Sequence, residues 1–201
     1  MMQQLQAHPW HGISPGPDTP KTVLAFIELV PSDSVKFEID KPSGHLRLDR
    51  PQKYSNFCPA LYGFVPQTYC GEQVASRAGG QNFKGDCDPL DILVLTENEI
   101  SHGAILVRAR PIGGFRMIDR GEVDDKIIAV LEKDPLYGHY EEIEQLPQPV
   151  VDRIRHYFLT YKDMPGTGEK KKVEIAETYS VAEAHEVIRA SLVDYSNLKV
   201  N

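Results

Sequence analysis

Scarcity narrows this chain before any motif does. Three cysteines, Cys58, Cys70 and Cys87, are odd in number and widely spaced, which argues against a disulfide framework and makes a reducing cytoplasm the expectation. No run of about 18 apolar residues occurs, so no membrane-spanning helix is expected. The opening MMQQLQAHPWHGISPGP has neither a basic leader nor an apolar stretch and predicts no export. Basic residues number 22 against 29 acidic ones, a net charge of -7, which argues against nucleic acid or an anionic membrane as partner. Small anions bridged by metal remain open. There are no internal repeats or low-complexity tracts. His8, His11, His102, His139, His156 and His185 show no HExxH or other close ligand spacing, so they are assigned no catalytic role.

With 41% hydrophobic residues in 201, the chain suits one globular domain over 1–201. Residues 1–20, rich in Pro, Gly, His and Gln, predict an irregular arm lying over a core. Alternation then predicts strands over 22–30, 34–40 and 45–50, arranged as a meander with a turn at Pro42-Ser43-Gly44. Further short strands are expected at 61–65, 92–96, 104–111, 114–118 and 126–131, a barrel-like spacing. Residues 71–85 lack a convincing period and predict an inserted loop or hairpin. Val150, Ile154, Phe158 and Tyr161 recur at helical spacing behind Pro147 and Pro149. A second helix is expected from Ser180, whose spacing to Glu183 fits a capping box. The predicted architecture is α+β and mainly β, a small barrel flanked by two helices.

The chemistry concentrates in GDCDPLD, where Asp86, Asp88 and Asp91 run into the apolar Ile92-Leu93-Val94-Leu95. Three carboxylates within six residues repel one another unless cations or protons neutralise them, and aspartate oxygens are the hard ligands Mg²⁺ prefers. Taken alone, the triplet serves equally as a solvated acidic loop. An EF-hand is rejected, because Leu90 and Asp91 occupy its fifth and sixth positions and β-structure follows where a helix should. A second acidic run, Asp119, Glu122, Asp124 and Asp125, again precedes an apolar strand that begins at Lys126. Alone it reads as an exposed turn, but the repeated placement lets a barrel bring both runs to one rim. Glu28 lies among apolar residues of the first strand and should face a cation, a metal-bound water or Lys36, with a plain buried ion pair as the alternative. Lys36, Arg50, Lys126, Tyr62, Tyr161 and Lys162 would each pass for surface groups, yet together they suit a dianionic phosphate. Lys170-Lys171-Lys172 reads as a solvated hairpin. Cys87, set among carboxylates, is disfavoured as a thiolate nucleophile.

These residues resemble the soluble family I inorganic pyrophosphatases, whose signature is D-x-D-P-x-D followed by a hydrophobic strand. The likeness extends to FIEL at Glu28, VKFEIDK at 35–41, LDR ending at Arg50, YGF at Tyr62, DDKIIAV from Asp124 and HYFLTYK ending at Lys162. The resemblance implies a five-stranded OB-like barrel with two helices, cytoplasmic and homo-oligomeric, hydrolysing pyrophosphate to two orthophosphates with several Mg²⁺ ions per site, for which Mn²⁺ or other divalent ions could substitute. It implies that Asp86, Asp91, Asp119 and Asp124 are direct metal ligands and that Glu28 acts mainly through metal-bound water. Asp88 would be the general base, and Lys36, Arg50, Tyr62, Lys126, Tyr161 and Lys162 would hold the phosphates. No organic cofactor is implied.

Several positions depart from the commoner short bacterial pattern. Cys87 replaces a usual Gly, Cys58 and Leu61 replace a Tyr and an Asn, and 71–85 is extended as in a longer-chain subgroup, where it could serve as an interface or a lid. An OB-like binder without hydrolysis would have lost one of these charges, and a metal-buffering module would leave Arg50, Lys126 and Lys162 without purpose. Every one is present.

Overall fold

The structure, a computed structural model, describes residues 7–79, 83–162 and 173–198. Among the described residues ten strands form: β1 (Val23–Leu29), β2 (Val35–Ile39), β3 (Leu46–Pro51), β4 (Leu61–Phe64), β5 (Lys84–Gly85), β6 (Asp91–Leu95), β7 (Ile105–Asp119), β8 (Glu122–Val123), β9 (Lys126–Leu131) and β10 (Val173–Ser180). Both faces of β6 and β9 are apolar, so both must be covered. The solution is a closed ring, β1–β4–β6–β9–β7 and back to β1, antiparallel except for the β6–β9 pair. This is the expected five-stranded OB-like barrel.

Two faces of these strands define two packed regions. Ile92, Val94, Ile127 and Ala129 pack with Ala184, Val187 and Ile188 of helix α3 (Val181–Asn197). The alternate residues Leu93, Leu95, Ile128 and Val130 pack with Val151, Ile154 and Phe158 of helix α2 (Gln148–Thr160). Strand parity therefore decides which helix each side chain meets. The first described residues, 7–22, form no helix or strand. Trp10 from this arm is buried with Phe26, Ile39 and Phe64, and its indole N–H donates to the Thr68 carbonyl at 2.7 Å.

Several expectations are corrected. The two strands expected over 104–111 and 114–118 are one bent strand, β7, which pairs with β1, β9 and β10 in succession. Its register slips between Pro111 and Gly113, and Gly113, at φ 152°, takes the conformation that bend requires. The meander does not form as expected, since β1 spends both edges on β4 and β7 and leaves β2 and β3 as a separate hairpin. At Gly63 the walls meet so closely that a Cβ would overlap the Phe26 carbonyl.

The inserted segment is neither a plain loop nor a hairpin in its described part. It holds a short helix, α1 (Glu72–Ser76), and β5, which pairs in parallel with β8. A five-residue helix is too short to show a period, and its N-terminus is satisfied from afar: Asp194 of α3 accepts from the amides of Gly71, Gln73 and Val74 at 2.9 to 3.0 Å. Helix α3 does start after Ser180, but without the expected capping box. The Val181 amide donates instead to Glu142 at 3.0 Å, while Glu183 is held by two arginines. Strand β10 had no sequence expectation, because its exposure is mixed and it pairs with β7 alone among the strands. Residues Lys170-Lys171-Lys172 lie outside the described residues.

Candidate active site

Parity places the chemistry. Asp91 opens β6 and Lys126 opens β9, paired across the parallel ladder and both on the α2 side. Lys126, only 2% exposed, forms ion pairs with Asp91 Oδ2 and Asp124 Oδ1. The Tyr62 hydroxyl of β4 donates to the same Asp91 oxygen at 2.5 Å. Lys126 Nζ also lies 5.9 Å from the Tyr62 and Phe158 ring centroids. Asp119, at the end of β7, pairs with Lys162 just beyond α2. Asp86 and Asp88 come from the turn before β6, where Cys87 sits at φ 65°. This left-handed conformation is one a glycine adopts freely, so the cysteine carries local strain. The turn lets the Asp88 amide donate to Asp86 Oδ1 at 3.0 Å.

A cavity of 210 Å³ gathers ten of the expected site residues: Lys36, Tyr62, Asp86, Asp88, Asp91, Asp119, Asp124, Lys126, Tyr161 and Lys162. Arg50 flanks it, its guanidinium 5.7 Å from the Tyr161 ring centroid and its Nη1 buried without a hydrogen-bond partner among the described residues. Glu28 is not on this wall. It lines an adjoining cavity of 520 Å³ that shares Lys36, Tyr62, Asp88 and Asp91 with the first. Glu28 is 6% exposed and accepts from the Ile39 amide at 2.6 Å, so neither a Lys36 pair nor another ion pair holds it among the described residues. A larger cavity of 820 Å³ between α1 and the end of α3 lacks this convergence, and its Asp194 is committed to capping α1.

Three residues were missed. Glu122 and Tyr157 line the 210 Å³ cavity. Lys41 forms an ion pair with Asp88 and donates to the Cys87 carbonyl at 3.3 Å. Glu122 lay within the second acidic run, and Tyr157 lies one helical turn before Tyr161. Lys41 reaches Asp88 from the β2–β3 turn, a proximity no local pattern carries.

Six carboxyl groups and three lysines face the 210 Å³ cavity, so negative charge is in excess. Burial, followed by the neighbouring Asp124, pushes the Asp86 carboxyl up to about 9. Burial and Asp91 push Glu28 up to about 8. Burial also raises Asp91 above the usual carboxylate range, although Lys126 opposes it. Burial works the same way on Asp124, but Lys126 outweighs it and holds that carboxyl below its usual value. Asp119 Oδ1 is buried without a hydrogen-bond partner among the described residues. Among those residues no three ligand groups already stand in a geometry ready for an ion, and Lys126 pairs with two of them. The donor set, all oxygen, crowded and short of positive charge, fits hard divalent cations.

An OB-like barrel whose rim joins surplus carboxylates to a ring of lysines and phenols defines an enzyme of metal-assisted phosphoryl chemistry. Comparison with known proteins gives the family. The sequence profile of a family described as inorganic pyrophosphatase matches residues 25–196. An inorganic pyrophosphatase of Chlamydia muridarum is 54% identical over 198 residues, covering 95% of this chain and 95% of the relative. Soluble inorganic pyrophosphatase 3 of Arabidopsis thaliana is 38% identical, covering 96% of this chain and 81% of its own length. The crystal structure of the Thermus thermophilus inorganic pyrophosphatase superposes with a TM-score of 0.78 at 29% identity, over 95% of this chain and 99% of that one. The chain belongs to the inorganic pyrophosphatase family.

Proposed function

We propose that Mg²⁺ is the metal and Asp88 the general base in this enzyme's hydrolysis of inorganic pyrophosphate to two orthophosphates. The observation that carries the assignment is the excess of carboxyl groups over lysines around one cavity, with Asp88 at its edge. Asp86, Asp91, Asp119 and Asp124 would hold the ions, with Glu28 acting through water from the adjoining cavity. Bound there, Mg²⁺ would supply Lewis acidity that neutralises phosphate charge and acidifies water.

The chain's own side chains supply the remaining chemistry. Asp88, with 51% of its side chain exposed, is open to solvent and substrate, unlike the enclosed Lys126 and Asp124. As the water oxygen bonds to phosphorus, Asp88 accepts the water's proton and the bridging P–O bond breaks toward the departing phosphate. Lys36, Arg50, Lys126 and Lys162 meet the negative charge on the two phosphates, and Tyr62 and Tyr161 donate hydrogen bonds. Arg50 Nη1, without a hydrogen-bond partner among the described residues, supports an anion at that wall. Asp88 returns its proton to solvent after product release. No covalent intermediate is needed.

Phosphate release from pyrophosphate, measured with and without Mg²⁺ for wild type and Asp88→Asn, tests this assignment. Asp88→Asn is expected to lose most turnover while calorimetry still detects Mg²⁺ binding. Equal loss of metal binding would make Asp88 a ligand instead. The same reading makes the whole chain one catalytic unit, cytoplasmic and homo-oligomeric, with neither nucleic acid nor membrane as partner. Free Cys58, Cys70 and Cys87 support the reducing compartment, and no described helix is long and apolar enough to cross a membrane. Light scattering of the purified protein tests the oligomer.

A further inference from the structure

Behind the Asp124–Lys126 pair lies a second group of charges that the reaction does not use. Asp125 separates these two site residues in sequence, just before β9, and its side chain meets Arg116 instead of the cavity. Its side chain is 0% exposed, and neither carboxylate oxygen accepts a hydrogen bond among the described residues. Its ion-pair partner is Arg116 of β7, Nε to Oδ1 at 3.5 Å, whose side chain is 7% exposed. The rest of the Arg116 guanidinium is held on several sides. Nη1 donates to the Arg77 carbonyl at 2.9 Å and to Glu177 at 3.1 Å, and Nη2 donates to Glu183 at 2.8 Å. The Tyr179 ring centroid lies 5.2 Å from Cζ. Glu183 in turn takes a two-pronged grip from Arg77, Nε at 2.8 Å and Nη2 at 2.5 Å, and Arg77 belongs to the inserted segment.

A buried carboxylate with one cation and no hydrogen bonds depends on that cation. Arg116 cannot drift, because its other nitrogens are fixed by β10, α3 and the insertion. The charge facing Asp125 is therefore set by tertiary structure, and Asp125 is covalently fixed between a proposed metal ligand and a proposed phosphate-binding lysine. We infer that Arg116 is a positioning residue for the reaction: through Asp125 it fixes the backbone that aims Asp124 and Lys126 into the cavity, with the insertion bracing it from outside. This inference rests on the proposed roles of Asp124 and Lys126, but its test does not depend on Asp88.

The test compares Arg116→Met, Arg116→Lys and the double variant Arg116→Met/Asp125→Asn by kcat, KM for pyrophosphate and thermal melting. Loss of position at reacting groups lowers kcat, and a displacement of about 1 Å is worth on the order of 100-fold. Arg116→Met should lower kcat at least about 10-fold while KM changes much less. The double variant should recover most of that loss, because the unpaired carboxylate is gone. Arg116→Lys should keep most activity, because a cation still faces Asp125. Arg116→Met with near wild-type kcat, or a double variant no more active than Arg116→Met, overturns the inference. If Arg116→Met does not fold, Arg116→Lys decides: a folded protein with a 10-fold loss of kcat would show that the route does not run through the Asp125 charge. Failure of the Asp88→Asn prediction, by contrast, would leave all these outcomes unchanged.

Discussion

One strand start serves two charged regions that are built on opposite rules. On the α3 side, Asp125 and Glu183 face Arg116 and Arg77, with Glu177 at the rim, and the chain supplies its own counter-charges. On the α2 side, six carboxyl groups and three lysines line one cavity. In the first region Asp125 and Glu183 each have an arginine, whereas in the second carboxyl groups outnumber lysines two to one. A buried charge cluster is a structural feature when its own chain neutralises it, and a binding site when it does not.

Breaking the deficient side should produce the largest effect. Lys126→Met removes the cation from Asp91 and Asp124 and leaves enclosed carboxyls facing one another. Without metal, this should cost about 3–5 kcal/mol of stability, measured by urea unfolding in EDTA. Saturating Mg²⁺ should return part of that loss, while phosphate release stays low because the phosphate contact is gone.

A pH series sharpens the same contrast. Glu28 and Asp86 are pushed up to about 8 and about 9, so the folded metal-free protein holds protons that the unfolded chain has released. Their stabilising protonation is fully present below the ordinary carboxylate range and is lost as pH rises through 8 and 9. Asp124 has the opposite sign, but its window lies below the ordinary carboxylate value. Thermal melting in EDTA should therefore fall between pH 6 and pH 9, and Mg²⁺ should flatten the curve. A metal-free melting temperature that rises over this range would contradict the charge deficit.

On the self-sufficient side, Arg77→Gln should cost about 1 kcal/mol, with kcat lowered less than in Arg116→Met, since Arg116 keeps Glu183, Glu177 and Asp125. Steady-state kinetics beside chemical denaturation would separate the two. The smallest effect is expected at Cys87, where Gly would relieve the left-handed strain but enlarge the entropy of the unfolded chain. The net change in Cys87→Gly should be a stabilisation of at most about 1 kcal/mol, read from the same denaturation curves.

Much of the site was legible because short spacings constrain short distances. Asp86, Asp88 and Asp91 are brought together by one turn, and alternation continued back from β9 puts Asp124 and Lys126 on one side and Asp125 on the other. That last signal was present in the sequence, yet Asp125 read as part of one acidic run, because nothing local distinguishes a residue facing Arg116 from one facing solvent. Ser180 and Glu183 had the spacing of a capping box, but two arginines from distant segments claimed the glutamate. Lys41 was invisible for a related reason, since its partner Asp88 lies 47 positions away in sequence.

By itself the sequence determined the strand alternation, the two amphipathic helices and the carboxylate, lysine and phenol types the chemistry needs, because these follow from periodicity and side-chain chemistry. Tertiary structure alone decided that β1 closes a barrel rather than starting a meander, that Glu28 sits in an adjoining cavity, and that Arg116 stands behind the reacting groups. Those outcomes depend on which edges and charges meet across long stretches of chain, where packing and desolvation, not local pattern, set the free energy.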